Sequence, residues 1–330
     1  MKILIADAFE KTGIDSLKAL GCEVVCTPDA GMEGIPSALA AHRPAALIVR
    51  STKVPATSVK AAADAGVRII VRAGAGVDNI DIGAASGVGI RVCNCPGMNA
   101  VAVAELTMGL LLSCDRRIPD QTLEARQGRW NKKEYSSRAR GLKGSTLGVI
   151  GAGAIGRAVV KRAVAFEMRV LVWSRSITAE HAGDLGAEWG GNDTPALLDL
   201  ASRCDAVTIH LPLAHDTKGL LGPAFIDRLR PGTYVINTSR GGVIDETSLR
   251  EAVRSKGLRV GLDVYESQPG SSQTAPGEWA SETARLGPGV YATHHVGAST
   301  EQAQDAIARE VVRIIGEYRR TGRVENCVNP

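Results

Sequence analysis

Residues 147–156 read Leu147-Gly148-Val149-Ile150-Gly151-Ala152-Gly153-Ala154-Ile155-Gly156, an apolar run leading into a Gly-x-Gly-x-x-Gly turn. The run predicts a short buried strand. Beyond it, Ile155, Ala158, Val159, Ala163 and Phe166 recur at helical spacing, with Arg162 the one lapse in the stripe. A strand, this glycine pattern and a helix together make the dinucleotide-binding fingerprint. Gly151 allows the tight turn, Gly153 lets the backbone approach a pyrophosphate, and Gly156 lets helix and strand pack closely. The helix N-terminus offers N–H groups and partial positive charge to the phosphates, so Ala154 and Ile155 join the glycines as cofactor-binding candidates.

Around this unit the chain has the composition of an ordinary globular protein. Its 330 residues are 44% hydrophobic and 22% charged, and the length predicts about two domains. Lys plus Arg exceed Asp plus Glu by 39 to 35, which suits an anionic small substrate and gives no reason to expect nucleic acid. No apolar run approaches the roughly 18 residues of a membrane span, and the opening residues 1–7 read as a first strand rather than a secretory signal. The seven cysteines lack a paired C-x-x-C spacing, so Cys93-Asn94-Cys95 reads as core thiols in a reducing cytoplasm and no metal site is expected.

Before residue 99, β-rich runs at 3–6, 23–26, 46–49, 68–71 and 90–93 alternate with helical stretches near 13–20, 36–41 and 55–65. A long helix is expected over about 99–127, then a basic linker carrying Trp130, Lys132, Lys133, Arg138 and Arg140. A second series of strands follows at 147–150, 169–173, 206–211, 233–237, 259–264 and 290–293, and a last helix at 301–320. Residues 268–276 read as a surface loop. Such alternation predicts an α/β protein of two doubly wound parallel-sheet domains, Rossmann-like or flavodoxin-like. The nucleotide domain (99–295) would be inserted into a substrate domain made of 1–98 and 296–330.

Open parallel sheets bind ligands at the carboxyl ends of their strands. Three clusters lie just after predicted strands: Asn237-Thr238-Ser239-Arg240-Gly241-Gly242, Asp263-Val264-Tyr265-Glu266-Ser267-Gln268-Pro269, and His294-His295-Val296-Gly297-Ala298-Ser299-Thr300. An Arg for a carboxylate, a His for a proton and a cofactor for hydride suit oxidation of a 2-hydroxy acid or reduction of a 2-oxo acid. As hydride leaves the carbinol carbon, the hydroxyl must lose its proton to a base near neutral pKa. A guanidinium grips the carboxylate with two parallel hydrogen bonds.

Nearly end to end, the chain resembles the D-isomer-specific 2-hydroxyacid dehydrogenases, and among them is most similar to the members acting on 3-phosphoglycerate. The landmarks are Val49-Arg50-Ser51-Thr52-Lys53-Val54, Val71-Arg72-Ala73-Gly74-Ala75-Gly76-Val77-Asp78-Asn79, Ala104-Glu105-Leu106-Thr107, the glycine fingerprint, Ser239-Arg240-Gly241-Gly242, Leu262-Asp263-Val264 and His295-Val296-Gly297-Ala298-Ser299-Thr300. The resemblance implies that Arg240 is the substrate-binding catalytic Arg and His295 the acid–base, with Gln268 orienting it. It implies cofactor contacts from Leu211, Pro212, Thr238, Ser239, Asp263 (facing the nicotinamide amide), Gly297 and Ala298. It implies substrate contacts from Arg50, Ser51, Lys53, Arg72, Ala73 and Gly74, in a cleft between the domains. A homodimer is the family expectation, and the chain end suggests a form without the regulatory domain of longer members.

Three departures from the family pattern bear on chemistry. Gln268 stands where the family carries a catalytic Glu; an amide holds an imidazole but supplies no charge to raise its pKa, although formate dehydrogenases of the broader family also have Gln here. Glu266 offers a substitute charge, with a solvated loop Glu the plainer reading. Eighteen residues after Gly156, where a ribose-binding acid is usual, stand Ser174, Arg175 and Ser176. Without that acid a 2′-phosphate is not repelled, which favours NADP over NAD; the alternative is a surface Arg in an NAD enzyme that has lost the discriminating acid. The cationic group Arg50, Ser51, Lys53 and Arg72 suits a phosphorylated substrate or is a solvated loop edge, and its Arg50–Lys53 motif is one residue shorter than usual. Lys132 and Lys133 suit a phosphate site completed by a partner subunit or are simple linker charges. His294 replaces a usual Pro, and His210 and His215 read as ordinary loop residues. The leading substrate is 3-phosphoglycerate. Reduction of glyoxylate or hydroxypyruvate is the alternative, and an NAD(H)-sensing corepressor-like binding protein is the alternative of another class.

Overall fold

Strands buried on both faces need apolar residues at every position, and the short runs of this chain supply them. In the computed structural model, which describes residues 1–137, 139–269, 274–275, 278–279 and 281–330, these runs form two parallel sheets. The strands are β1 (Lys2–Ile5), β2 (Glu23–Cys26), β3 (Ala46–Val49), β4 (Ile69–Arg72), β5 (Arg91–Cys93), β6 (Thr146–Ile150), β7 (Arg169–Trp173), β8 (Glu188–Trp189), β9 (Ala206–Ile209), β10 (Tyr234–Asn237), β11 (Arg259–Leu262) and β12 (Val290–Ala292). The helices are α1 (Lys11–Ala19), α2 (Gly31–His42), α3 (Ala56–Ala65), α4 (Ile82–Gly87), α5 (Ala100–Arg116), α6 (Ile118–Arg126), α7 (Lys132–Ser136), α8 (Ala154–Ala165), α9 (Ala179–Asp184), α10 (Thr194–Arg203), α11 (Pro223–Arg228), α12 (Glu246–Lys256) and α13 (Glu301–Thr321). They fold into two units, Met1–Asn99 with Ser299–Pro330, and Ala100–Ala298.

In the first unit the order is β2-β1-β3-β4-β5. Successive residues alternate between faces as the pleat requires. Leu4, Leu47, Val49 and Ile70 join Ile35 and Leu39 of α2 and Val59 and Ala62 of α3 on one side. Ile3, Ile5, Ile48, Ile69 and Val71 meet Ile307, Val311, Ile314 and Ile315 of α13 on the other. The chain's last long helix therefore completes the core that its first hundred residues begin.

In the second unit the order is β12-β11-β10-β9-β6-β7-β8. The order reverses between β9 and β6, which creates the crevice where open α/β sheets bind ligands. Helices α5 and α8 pack on one face through Leu111, Cys114, Val159 and Ala163. Helices α10, α11 and α12 cover the other through Leu200, Phe225 and Leu249.

The helix expected over 99–127 is two helices. Pro119 lacks the N–H that would bond the carbonyl four residues back, and its ring clashes there. Helix α5 accordingly stops at Arg116, and Arg117 turns left-handed (φ 52°). The Arg117 guanidinium then ties the break, donating to Asp120 (2.9 Å) and Glu134 (2.8 Å). Part of the expected basic linker is the short helix α7, which holds exposed Lys132 and Lys133; Arg138 lies outside the described residues. So does most of the loop expected after Gln268. Strands β9 and β11 end two residues earlier than their apolar runs suggest, at Ile209 and Leu262, because the chain there turns into the loops at the sheet's carboxyl edge. The two-residue edge strand β8 is too short to show a pattern in sequence.

All seven cysteines are free, and among the described residues no helix is long and apolar enough to cross a membrane. Burial pushes the thiols of Cys93, Cys95 and Cys204 up to about 12 and raises that of Cys114 as well. Only thiolate attacks a disulfide reagent. In the native protein an aromatic disulfide reagent should therefore label exposed Cys26 promptly and half-buried Cys327 more slowly. The other five thiols should appear only on unfolding, and prompt release of more than two would contradict the packing.

Candidate active site

The turn from β6 into α8 is shaped by its three glycines, each for a different reason. A Cβ on Gly151 would lie 2.6 Å from the His210 carbonyl oxygen, and the backbone there has φ +101°. A Cβ on Gly156 would lie 1.9 Å from the Gly151 carbonyl oxygen. At Gly153, by contrast, a Cβ would meet nothing within 4 Å, so the backbone borders open space. No side chain caps the N-terminus of α8, whose first N–H groups, those of Ala154 and Ile155, open onto the same space. A pyrophosphate fits such a cradle, since it needs close backbone approach and uncapped donors. Leu211 closes one side, 3.1 Å from the position of a Gly151 Cβ, and exposed Pro212 follows it.

At the end of β7, Ser174 is buried and its hydroxyl bonds that of Ser176 (3.0 Å) and accepts the Ser176 N–H (3.2 Å). Arg175 is half exposed and forms an ion pair with Asp216, on the loop leaving β9. That contact holds the Asp216 carboxyl below the usual carboxylate range.

Because β10, β11 and β12 are neighbours, the loops leaving their carboxyl ends are neighbours too. Arg240 follows β10, Gln268 follows β11 and His295 follows β12. The Arg240 loop winds around the buried amide of Asn237, whose oxygen accepts from the Ser239 N–H (3.0 Å) and hydroxyl (2.8 Å) and whose nitrogen donates to the Arg240 carbonyl (2.9 Å). The Arg240 guanidinium also donates to the Ser239 carbonyl (2.8 Å). Next to it, a Cβ on Gly241 would lie 2.0 Å from the Tyr265 carbonyl carbon, so the two loops touch backbone to backbone. Thr107 donates its hydroxyl proton to the Val103 carbonyl (2.8 Å), which leaves Thr238 as the donor in the 2.9 Å bond between the two hydroxyls.

Asp263 holds the third loop. Its carbonyl accepts the His295 N–H (2.8 Å), and its carboxylate accepts from the N–H of Val296 (2.8 Å), the N–H of Gly297 (2.9 Å) and the hydroxyl of Thr293 (2.7 Å). Those three donors leave about one of the carboxylate's four lone-pair sites for a ligand. The bonds bend the backbone into the left-handed region at His295 (φ 54°), a conformation His adopts more readily than most residues. On that backbone the exposed His295 ring meets Gln268, with Nε2 of the amide 2.7 Å from Nδ1 of the imidazole. An amide can serve Nδ1 in both its states, donating to a bare nitrogen or, turned over, accepting from Nδ1–H. With Nδ1–H donating to the amide oxygen, Nε2 is the ring nitrogen that can gain and lose a proton. The half-buried Ala298 follows.

In the first unit, Arg50, Ser51 and Lys53 follow β3, and Arg72, Ala73 and Gly74 lie at the end of adjacent β4. Half-buried donors and acceptors shape both loops. Asp7 accepts from the N–H groups of Arg50 (2.7 Å) and Thr52 (3.2 Å), and Asn79 donates to the Thr52 carbonyl (2.8 Å). Gly74 has φ +152°, and the Arg72 guanidinium occupies the place of its missing side chain. Ala73 is buried, so it can offer only its backbone.

Sequence reading missed the residues that hold others in place. Thr293, Glu246, Asp7 and Asp216 carry no motif of their own, and only the strand order shows what they face. Glu246, for instance, accepts the Glu266 N–H and the Thr283 hydroxyl (3.0 Å) and so fixes the segment leading to Gln268. The Glu266 side chain itself is exposed. His210 departs from the loop residue expected, because it is buried just past β9 with Nε2 bonded to the Thr208 hydroxyl (2.9 Å). Burial pushes its pKa down to about 3, so it remains neutral where an ordinary imidazole titrates. His215 is exposed on the following loop, and exposed His294 stands 6.1 Å from the Trp279 ring.

Known proteins share this fold. The family model for the D-isomer specific 2-hydroxyacid dehydrogenase NAD binding domain matches residues 108–297. D-3-phosphoglycerate dehydrogenase of Archaeoglobus fulgidus is 35% identical across 100% of this chain and 59% of its own length. Hydroxypyruvate reductase of Thermotoga maritima is 39% identical over 271 residues, 82% of this chain and 83% of its own. Among solved structures, the NAD+-bound 3-phosphoglycerate dehydrogenase of Entamoeba histolytica superimposes with a TM-score of 0.79 at 28% identity, covering 100% of this chain and 99% of that one. The chain spans 59% of the length of the archaeal phosphoglycerate dehydrogenases it matches. With that fold, a cradle at the start of α8 and a matching family model over most of the second unit, the chain belongs to the D-isomer specific 2-hydroxyacid dehydrogenases.

Proposed function

We propose that the protein moves hydride between a nicotinamide dinucleotide and C2 of a small 2-hydroxy or 2-oxo acid, with 3-phosphoglycerate the leading substrate. The observation that carries this reading is the His295 ring on a backbone held by Asp263, partnered by Gln268, one strand from the Gln268 loop and two from the Arg240 loop. The second unit is then the nucleotide domain and the first the substrate domain. When bound, the nicotinamide supplies or accepts the hydride. Arg240 grips the substrate carboxylate with parallel hydrogen bonds and polarises the C2 oxygen. His295 gives a proton from Nε2 to that oxygen in reduction and removes it in oxidation. Gln268 keeps the ring oriented in both protonation states. Thr238, Ser239, Asp263, Gly297 and Ala298 would border the nicotinamide, with Leu211 and Pro212 beside the phosphates.

NADP as well as NAD suits the adenosine end, because Ser174 and Arg175 stand where a repelling acid is usual. Arg50, Ser51, Lys53 and Arg72, with the backbone of Ala73 and Gly74, would take the substrate's carboxylate and phosphate end. Val101, Ile118, Leu123 and Trp130 leave large apolar side chains exposed between residues 101 and 130, and Trp130 is 90% exposed. Such a stretch supports a homodimer formed through this region.

Reduction of hydroxypyruvate or glyoxylate is the second reading, favoured by the room for NADP at Ser174 and Arg175 and by the reductase relative of similar length. Steady-state kinetics with NADH and NADPH against 3-phosphohydroxypyruvate, hydroxypyruvate and glyoxylate separate the two. A kcat/KM highest for the phosphorylated acid supports the first, and one highest for an unphosphorylated acid supports the second. Cofactor binding with no turnover of any acid would leave a sensing role.

Gln268→Glu tests the amide's part. A carboxylate beside the ring favours the imidazolium, the form that reduction consumes. Activity in reduction falls as pH rises through the ring's pKa, so raising that pKa moves the basic limb of the profile upward, by about one pH unit. A limb that stays put or moves down would remove Gln268 from the proton chemistry.

A further inference from the structure

Arg175 and Asp216 come from opposite sides of the crevice. Arg175 leaves β7 and Asp216 leaves the loop after β9, while β6, the strand that feeds the glycine turn, runs between them. Their ion pair therefore spans the carboxyl end of β6, where the sheet order reverses. Both side chains are about half exposed, at 49% and 55%. An ion pair so open to water is weak, and a better anion can displace Asp216 from the guanidinium. From the geometry we infer that Asp216 is a specificity-determining residue for the cofactor, competing with a 2′-phosphate for Arg175 and so limiting the preference for NADP.

This inference rests on the reading that the α8 cradle binds a dinucleotide, and it deepens that reading at one position. The end of β7 is where a ribose-binding acid normally excludes the 2′-phosphate. In this chain that position holds Ser174, and its hydroxyl is engaged with Ser176. The acid has not vanished from the neighbourhood, since Asp216 brings a carboxylate to the same guanidinium from across the crevice. A phosphate dianion arriving at Arg175 meets a cation already neutralised and a carboxylate that repels it. A ribose with a free 2′-hydroxyl meets neither obstacle, because a neutral group is not repelled and needs no unpaired cation. The pair thus allows both dinucleotides and holds the affinity for the phosphorylated one below what Arg175 alone would give.

The test is equilibrium titration of the full chain with NADPH, NADH, 2′,5′-ADP and 5′-AMP, followed by calorimetry, on the wild type, Asp216→Asn, Arg175→Ala and the double variant. Asp216→Asn should tighten 2′,5′-ADP and NADPH by about three- to tenfold, leaving 5′-AMP and NADH within about twofold of wild type. Removing Arg175 in the same chain should erase that gain, since the released cation is its source. Tightening of phosphorylated and unphosphorylated ligands alike, or no change in their ratio, overturns the inference while the dinucleotide reading stands. Failure of the wild type to bind any of the four overturns both.

Discussion

On the proposed mechanism, replacing His295 with Ala should lower kcat for 2-oxo acid reduction by about 10²–10⁴-fold and leave the dissociation constants of NADH and NADPH within about twofold. The split follows from how the loop is held. The N–H of residue 295 bonds the Asp263 carbonyl, and those of Val296 and Gly297 bond its carboxylate, so the backbone keeps its course without the ring. Alanine does bear the left-handed conformation at this position less easily than His, but three bonds to one buried Asp hold it there. What the proposed mechanism loses is the proton at Nε2. His210 cannot stand in, because burial keeps its ring neutral. His295→Asn serves as a control, since Asn tolerates the left-handed backbone and lacks an acid–base group. It should lose kcat as alanine does. Retained turnover in either variant would take His295 out of the mechanism.

The second large effect is on folding and cofactor binding together. Gly156→Ala puts a Cβ 1.9 Å from the Gly151 carbonyl oxygen and 3.0 Å from its carbon. Both obstacles are backbone atoms of the turn itself, so no side chain can swing aside. Overpacking of this kind costs about 3 kcal/mol, at the upper end of the usual range. In a unit of this size that lowers the melting temperature by about 6–12 °C. The only relief is to move α8 away from β6, which spoils the cradle, so NADH binding should disappear even where the variant remains folded. Gly153→Ala is the informative contrast, because a Cβ there meets nothing in the protein and has an ordinary φ of −68°. It should leave the melting temperature near wild type and weaken only dinucleotide binding. If both variants melted alike, the glycines would have no separate roles.

What the sequence determined by itself is whatever depends on neighbours in the chain. The apolar runs around residues 3–6, 46–49, 68–71 and 147–150 specify strands buried on two faces, and the glycine spacing at 151, 153 and 156 specifies the turn into α8. Pro119 was as visible as those glycines, and it ends α5 by a rule of local backbone chemistry, although the continuing hydrophobic pattern conceals the break. Arg240, Gln268 and His295 were legible as candidates because each follows a strand and because the family resemblance implies a role for each. Only the tertiary structure decided that those strands are neighbours and that Gln268 lies 2.7 Å from the ring of His295. It also decided that Asp263 holds the His295 loop, that His210 is buried and neutral, and that Arg175 is shared with Asp216. The physical reason is sequence distance. Hydrogen bonds and ion pairs between residues 27 to 41 positions apart depend on the order of strands in a sheet, and no local pattern encodes that order.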